Sequence, residues 1–388
     1  MAQVTALDTA AVYSELPAER VAGYFNTGTI GLLPLLTHKA MTENLDAQLG
    51  DSRVSNEGYL KSRERAASLR SVLGQIVGAD ATEIALTRST TEGINIAAWA
   101  QDWPAGSVAV TTNFETEGTL APLYQLHRRR GVEVRFADAT SGDPETIAEA
   151  MAAAIRPGVK LVLFSHVAYS TGAILPVKEI TQLAHEAGAI VLLDAAQSVG
   201  AIPVDLHALG VDCCAFSGQK WLSGPEGTGG LFIRTEAMEQ LAPTYLSDAN
   251  RCRPEYPDSL VFPADASRYE QGSFSRTAIC GLNASATWLV DELGLSEVHN
   301  RIRELREYCA QLVGQLSGVE MMAPPDRLAG LVVFRFRGGD PSRFVQALWS
   351  HNLPIRSMPD NGALRFSTGF FNTTSEIERA VSLLDSIA

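Results

Sequence analysis

The central part of the chain alternates short apolar runs with amphipathic stretches. A helical pattern covers residues 177–187 between two such runs. The apolar runs occupy residues 107–111, 132–136, 160–164, 189–194, 213–216 and 229–233. Apolar strands separated by helices predict a mainly parallel sheet that is covered by helices on both faces. We therefore expect an α/β unit in this part of the chain.

The pattern changes after about Ala242. Residues 251–265 are rich in proline and polar residues without a clear period, which predicts a long loop. A helical stretch then covers residues 276–316, with a break near Gly294. Further strands are expected at 330–336, 354–356 and 363–366, and further helices at 341–351 and from Ser375. These elements predict a smaller α+β domain formed by residues 1–15 and 256–388, beside a large domain of residues 16–255.

Composition narrows the class of protein. Of 388 residues, 46% are hydrophobic and 19% charged, which is typical of a globular chain rather than a disordered one. The net charge of −13 disfavours nucleic acid and anionic membranes as partners. The first residues lack the pattern of a secretory signal, and no apolar run approaches the roughly 18 residues of a spanning helix. The five cysteines show no CxxC spacing and no HExxH motif occurs, so we expect a cytoplasmic protein without a metal site.

Three motifs that could bind a ligand or take part in catalysis occur in the α/β segment. Asp194 ends an apolar strand, where open α/β folds place their ligands. The sequence Phe-Ser-Gly-Gln-Lys at 216–220 follows another strand and leads into a glycine-rich stretch at 221–230. Upstream, Arg-Ser-Thr-Thr at 88–91 opens a predicted helix, and a helix N-terminus rich in hydroxyl groups can bind phosphate.

Together these motifs resemble fold-type I pyridoxal-phosphate (PLP) enzymes of the aminotransferase class V family, and most of all its cysteine/cystine C–S lyases and isopenicillin-N-epimerase-like proteins. The resemblance extends from the Asn-Thr-Gly-Thr-Ile-Gly stretch at 26–31 to residues 364–373, and the stretch 194–230 is its most specific part. It implies a fold-type I PLP-dependent transferase fold, PLP as cofactor, a small-molecule amino-acid substrate and a homodimer with shared active sites.

The resemblance also implies roles for single residues. Lys220 would form the Schiff base with PLP and then move the Cα proton, and Asp194 would keep the pyridine nitrogen protonated. Gln197 would bind the phenolic oxygen. The phosphate would be held by Thr90, Thr91, Ser217 and Gln219, together with Ser273 from the partner subunit. The substrate would be bound by Arg365, Arg356, Asn26, Gly28, Thr29 and Tyr169, with Arg365 clamping its carboxylate.

The chain departs from the family pattern at three positions. Thr116 aligns with a position where many relatives stack a histidine or an aromatic residue on the cofactor ring. Gln219 stands where histidine is frequent, and Tyr169 stands where many relatives have asparagine.

The resemblance to the C–S lyases favours β-elimination from a cysteine-type substrate. Residues 356–362, where a desulfurase of this family could carry its persulfide-forming thiol, contain no cysteine. Cys213 and Cys214 lie on a predicted strand, and Cys280 and Cys309 lie on predicted helices, as small buried hydrophobic residues do. Two other reactions stay open. One is epimerisation, for which Tyr169 or Glu117 could be the second base, and the other is amino transfer or an oxidative, decarboxylating deamination.

Overall fold

The computed structural model describes residues 7, 9–16, 23–50, 52–246, 251–253, 256–358 and 361–388, with backbone only at 251–253 and 256–259. Within these ranges the strands are β1 Ile84–Thr87, β2 Val108–Thr112, β3 Glu133–Ala137, β4 Val159–Ser165, β5 Ile190–Asp194, β6 Cys213–Ser217, β7 Gly229–Ile233, β8 Arg251–Arg253, β9 Tyr256–Val261, β10 Val319–Met321, β11 Leu331–Phe336, β12 Arg356–Met358 and β13 Ala363–Ser367. The α-helices are α1 Thr9–Glu15, α2 Leu35–Leu49, α3 Asn56–Val77, α4 Thr90–Trp99, α5 Glu117–Arg130, α6 Pro144–Ala154, α7 Val177–Glu186, α8 Leu206–Leu209, α9 Arg276–Thr287, α10 Leu295–Gly314, α11 Pro341–Ser350 and α12 Thr374–Ile387.

The largest sheet of the described chain is mainly parallel. Its strand order is β1-β7-β6-β5-β4-β2-β3, and β7 alone runs antiparallel to its neighbours. Alternate residues of one strand lie on opposite faces. Accordingly, Val162 and Phe164 of β4 belong to one buried cluster, whereas Leu161 and Leu163 belong to another. Both faces are therefore covered, as predicted.

The C-terminal part forms a smaller unit around the antiparallel sheet β10-β11-β13-β12. Helices α10, α11 and α12 pack on it through a third apolar cluster. The predicted break near Gly294 is confirmed, because a π-helical turn at Trp288–Glu292 separates α9 from α10. The α/β fold with a smaller α+β unit is thus confirmed, and the residue numbers of the domain boundaries stay predictions.

Two expectations about local structure were wrong. Residues 251–265 are not a continuous loop, because β8 and β9 pair there as an antiparallel two-stranded sheet. Main-chain hydrogen bonds form such a pair without the apolar alternation on which the prediction depended. The strand expected at 354–356 begins only at Arg356, since Pro354 has no N–H to give to a ladder.

Candidate active site

Asp194 lies at the carboxyl end of a parallel strand. It ends β5, where the ladder pairs it with Ser165 of β4 and Ala215 of β6. Its side chain is 5% exposed. Asp194 Oδ1 accepts the backbone N–H of Ala196 at 2.9 Å, and Oδ2 accepts the hydroxyl of Thr119 at 2.8 Å. Two donors thus hold this carboxylate at the edge of the sheet where open α/β folds bind their ligands.

Lys220 follows β6 by three residues, in a turn held by main-chain hydrogen bonds. Gly218 donates its N–H to the carbonyl of Thr228 at 2.8 Å, and Gly31 donates its N–H to the carbonyl of Gln219 at 2.6 Å. A Cβ at Gly31 would lie 2.0 Å from the Lys220 carbonyl oxygen, so glycine is required for this approach. The N-terminal segment therefore lies directly against the lysine turn.

The electrostatic surroundings of Lys220 favour a reactive amine. Burial lowers the pKa of Lys220 to about 8, and the positive charges of Arg365 and Arg356 act in the same direction. The Asp194 carboxylate opposes this shift, which places the lysine and the aspartate in one electrostatic environment. An amine with a depressed pKa is partly neutral near physiological pH, as nucleophilic and proton-transferring lysines must be.

A hydroxyl-lined cradle lies at the N-terminus of α4. Ser89 caps this helix, because its hydroxyl accepts the N–H of Glu92 at 3.1 Å. Ser217 Oγ accepts the N–H of Thr90 at 3.0 Å and lies 2.6 Å from Thr90 Oγ1. Thr91 lies exposed in the same first turn. Thr90 and Ser217 are therefore in contact, Thr91 lies in the same helical turn, and their hydroxyl and N–H groups fit a phosphate.

Two arginines meet on neighbouring strands of the small sheet. Arg356 of β12 and Arg365 of β13 are paired in register, and both donate to Thr29 Oγ1, at 3.2 and 2.9 Å. Thr29 in turn donates to Asn26 Oδ1 at 2.7 Å. Arg365 is 1% exposed. Burial and the nearby Arg356 charge lower the pKa of Arg365 to about 9. Within the described ranges neither arginine has a carboxylate partner, so the pair can accept an anionic group.

Gln197 links the N-terminal segment to the lysine turn. Its Nε2 donates to the Gly28 carbonyl at 2.8 Å, and its Oε1 accepts the indole N–H of Trp221 at 3.1 Å. An amide nitrogen has two hydrogens, so one N–H of Gln197 stays available for a ligand oxygen. Gly28 lies at this contact, because a Cβ there would lie 3.0 Å from Gln197 Oε1.

Three other predicted residues have less defined surroundings. Tyr169 is partly buried, and its backbone carbonyl faces Arg365 Nη1 at 3.5 Å. Gln219 has a buried Oε1 without a hydrogen-bond partner in the described part of the chain. Ser273 is exposed, and its carbonyl accepts Arg88 Nη2 at 3.2 Å, next to the α4 cradle.

Sequence reasoning missed the residues that support Asp194. Thr119 donates to Asp194, so its hydroxyl accepts from Thr116 at 3.0 Å, which gives a directed chain from Thr116 to Asp194. Glu115, the residue before Thr116, is buried beside β4. The spacing of Thr116 and Thr119 by three residues at the start of α5 could have signalled a shared helix face.

The cysteines whose side chains are described are not placed for catalysis. Cys213 and Cys214 are buried in β6, Cys280 in α9 and Cys309 in α10. Burial raises the pKa of each of these thiols, to about 12 for Cys309. A raised pKa disfavours the thiolate, which is the nucleophilic form. In the described ranges there is also no group of three or more His, Cys, Asp or Glu fit for a metal ion.

The sequence is similar to a known protein family and to several of its members. The aminotransferase class-V family model matches residues 39–380. A probable cysteine desulfurase of Methanothermobacter thermautotrophicus is 28% identical, over 97% of this chain and 97% of its own length. The isopenicillin N epimerase of Streptomyces clavuligerus is 29% identical, over 82% of this chain and 83% of its own.

Solved structures agree with these relatives. The cystine C–S lyase C-DES, in complex with its reaction product cysteine persulfide, has a TM-score of 0.89 at 27% identity, over 95% of this chain and 98% of that one. A variant of C-DES with glycine covalently linked to its PLP cofactor has a TM-score of 0.88 at 27% identity, over 96% and 98%. The expected fold-type I architecture is therefore confirmed. In the described part of the chain, no helix is long and apolar enough to cross a membrane.

Proposed function

The chain belongs to the aminotransferase class-V family, and we propose that it is a PLP-dependent C–S lyase that catalyses β-elimination from a cysteine-type amino acid. The observation that carries this proposal is the Lys220 amine, which shares one electrostatic environment with the buried Asp194 carboxylate and the Arg365–Arg356 pair. The relatives named as cysteine desulfurase and cystine C–S lyase support the same chemistry.

The residues present fit PLP. The hydroxyl groups of Thr90 and Ser217 and the first turn of α4 would hold its phosphate, with Thr91 and Gln219 beside them. Asp194 would pair with the pyridine nitrogen, and the remaining N–H of Gln197 would face the phenolic oxygen. When bound, PLP supplies an electron sink for the negative charge that develops at the substrate Cα.

Lys220 would be both the attachment point and the proton carrier. Its lowered pKa leaves a large neutral fraction near pH 8, so the amine can take the proton from the substrate Cα. The Cβ–S bond then breaks, and the sulfur leaves with the bonding electron pair as a thiolate or persulfide. Hydrolysis of the remaining carbon skeleton gives pyruvate and ammonia. Asp194 would stabilise a positive charge on the ring nitrogen of the bound cofactor.

Arg365 and Arg356 would orient the substrate. A bidentate pair between a guanidinium and the substrate carboxylate fixes the direction of the Cα–H bond relative to the Lys220 amine. Thr29 keeps the two arginines together, because its hydroxyl oxygen accepts from both. Asn26, Gly28 and Tyr169 would line the same pocket.

The reaction proceeds without a protein thiol in this proposal. Residues 356–362 contain no cysteine, and the cysteines with described side chains are buried in regular elements with raised thiol pKa values. The sulfur would therefore leave as a small molecule rather than as a persulfide on the enzyme.

The test is pyruvate release from cystine and S-substituted cysteines. The wild type and the control Lys178→Ala, which removes an exposed lysine on α7, should release pyruvate, and Lys220→Ala should not. Release of pyruvate by Lys220→Ala at the wild-type rate would contradict the proposal.

Epimerisation is the second candidate, supported by the similarity to isopenicillin N epimerase. It requires protonation from both faces of Cα and therefore a second base. Glu117, one candidate, is exposed at the start of α5, and Tyr169, the other, is partly buried near Arg365. Racemisation of an amino acid without pyruvate formation would favour this reaction over elimination. No observation favours amino transfer or oxidative deamination.

We also propose a homodimer in which Ser273 completes the partner subunit's phosphate site. An apolar surface supports it, with Leu45 53%, Leu49 88% and Val54 87% exposed. This surface lies beside the start of α9, because Gln48 contacts Thr277. Ser273, just before α9, is thus next to a face that a second copy could cover. A protein that is monomeric by sedimentation and light scattering and yet fully active would contradict this arrangement. The cytoplasmic location stays a prediction.

A further inference from the structure

Glu115 is a buried carboxyl group behind the candidate active site, and the proposed mechanism does not use this group. It lies between the ends of β2 and β4 and is 6% exposed. Its Oε1 accepts the Thr112 hydroxyl at 2.8 Å and the Ser165 N–H at 3.0 Å, and its Oε2 contacts the Ser165 hydroxyl. These contacts tie Glu115 to the strand position that is in register with Asp194.

We propose that Glu115 is a positioning residue that acts through Asp194, because its charge sets the field in which Asp194 stabilises a positive ring nitrogen. This inference rests on the proposed pairing of Asp194 with PLP. The ends of β4 and β5 are neighbours, so an added negative charge at Glu115 strengthens the preference for a protonated ring. A neutral Glu115 removes that contribution.

The titration of Glu115 supports such a role. Burial raises the pKa of Glu115 to about 7, the hydrogen bonds from Ser165 and Thr112 oppose this shift, and the Asp194 charge adds to it. The groups that face Glu115 from β2 and β4, Thr112 and Ser165, are neutral. His166 follows Ser165, and burial lowers the pKa of its imidazole to about 4, so it stays uncharged near neutrality. Asp194 is therefore the charged neighbour to which Glu115 is coupled.

The decisive variant is Glu115→Gln. A glutamine can still accept from the Ser165 N–H and donate to the Ser165 hydroxyl, so a purely structural role would be preserved. It cannot ionise. Glu83→Gln is the matched control, because Glu83 is also a buried carboxyl group that accepts a backbone N–H, from Thr235. Despite its burial, hydrogen bonds from Thr235 and His207 keep the pKa of Glu83 below its usual range.

The first readout does not depend on activity. Infrared spectra of the cofactor-free protein should show a carboxylic-acid band that disappears with a midpoint near pH 7 in the wild type and in Glu83→Gln, and that is absent in Glu115→Gln. Asp194→Asn should move the midpoint to lower pH, because it removes the neighbouring negative charge. A wild-type band that does not titrate near pH 7, or an unchanged midpoint in Asp194→Asn, would overturn the inference.

The second readout uses the holoenzyme. The kcat of the wild type should rise with pH through a transition at or below pH 7, since bound PLP places positive charge at Asp194 and favours ionised Glu115. Glu115→Gln should lack this transition and lose about tenfold in kcat at pH 8, the order expected for a lost charge interaction of this kind. An unchanged pH profile in Glu115→Gln would reduce Glu115 to a structural residue. The infrared result does not depend on Lys220 being the attachment site. Failure of the proposed function can therefore be distinguished from failure of the inference about Glu115.

Discussion

Substitution of Thr119 by valine tests the hydrogen bond that holds Asp194. Thr119 is fully buried and donates to Asp194 Oδ2 at 2.8 Å, and valine keeps its volume but lacks the hydroxyl. Loss of a hydrogen bond to a charged buried group costs about 1.5–3 kcal/mol. If this loss falls on the transition state, kcat should decrease roughly 10- to 150-fold. KM should change little, because the Thr119 hydroxyl contacts Asp194, whereas the substrate carboxylate would be bound by the arginines.

Steady-state pyruvate release at saturating substrate measures this effect, with the cofactor content of each sample determined by absorbance. Thr119→Ser should recover most of the activity, because it restores the hydroxyl. Thr181→Val is the matched control: Thr181 is also buried, and its hydroxyl has no hydrogen-bond partner in the described part of the chain. A kcat for Thr119→Val within twofold of the wild type, at equal cofactor content, would refute the assigned role of this hydrogen bond.

Four further outcomes are expected. Asp194→Ala should reduce turnover far more than cofactor content, as absorbance and pyruvate assays on one sample would show, since its charge acts mainly in the transition state. Arg365→Ala should raise KM strongly and also lower kcat, because the substrate carboxylate loses a charge-assisted pair. The combined decrease in kcat/KM should correspond to roughly 2–4 kcal/mol. The rate at which PLP attaches to the cofactor-free protein should rise with pH through a midpoint near 8, where half of the Lys220 amine is neutral, and level off at higher pH; a flat stopped-flow profile would contradict the lowered pKa. Cys280→Ala and Cys309→Ala should each release pyruvate at the wild-type rate, and loss of elimination in a folded variant would restore a thiol mechanism.

The sequence predicts the large sheet well because most of its strands are largely apolar. Strands β2 to β7 were predicted to within about one residue at each end, since the buried strands carry a nearly continuous apolar signal and the edge strand β3 alternates apolar residues with Glu133 and Arg135. Strand β1, Ile84–Thr87, was not predicted, because four residues give too short a run to separate from the adjoining helices. The hairpin of β8 and β9 was missed for a different reason: its residues show no apolar alternation.

The site could be predicted only where a motif carries it. The stretch from Asp194 to Lys220 and the hydroxyl groups of residues 89–91 were recognisable as one pattern. The contact of Thr119 with Asp194 joins residues 75 positions apart, and that of Arg365 with Thr29 joins residues 336 apart. Neither pairing has a local sequence signal, because both depend on how the sheet edge and the N-terminal segment come together in three dimensions.

Attachment of the cofactor to Lys220 is the central claim, and borohydride reduction followed by peptide mapping tests it most directly. The purified protein should be yellow, and reduction should fix PLP on the peptide that contains Lys220 in the wild type and in Lys178→Ala. Lys220→Ala should yield no labelled peptide. A label on any other lysine of the wild-type protein would contradict the account.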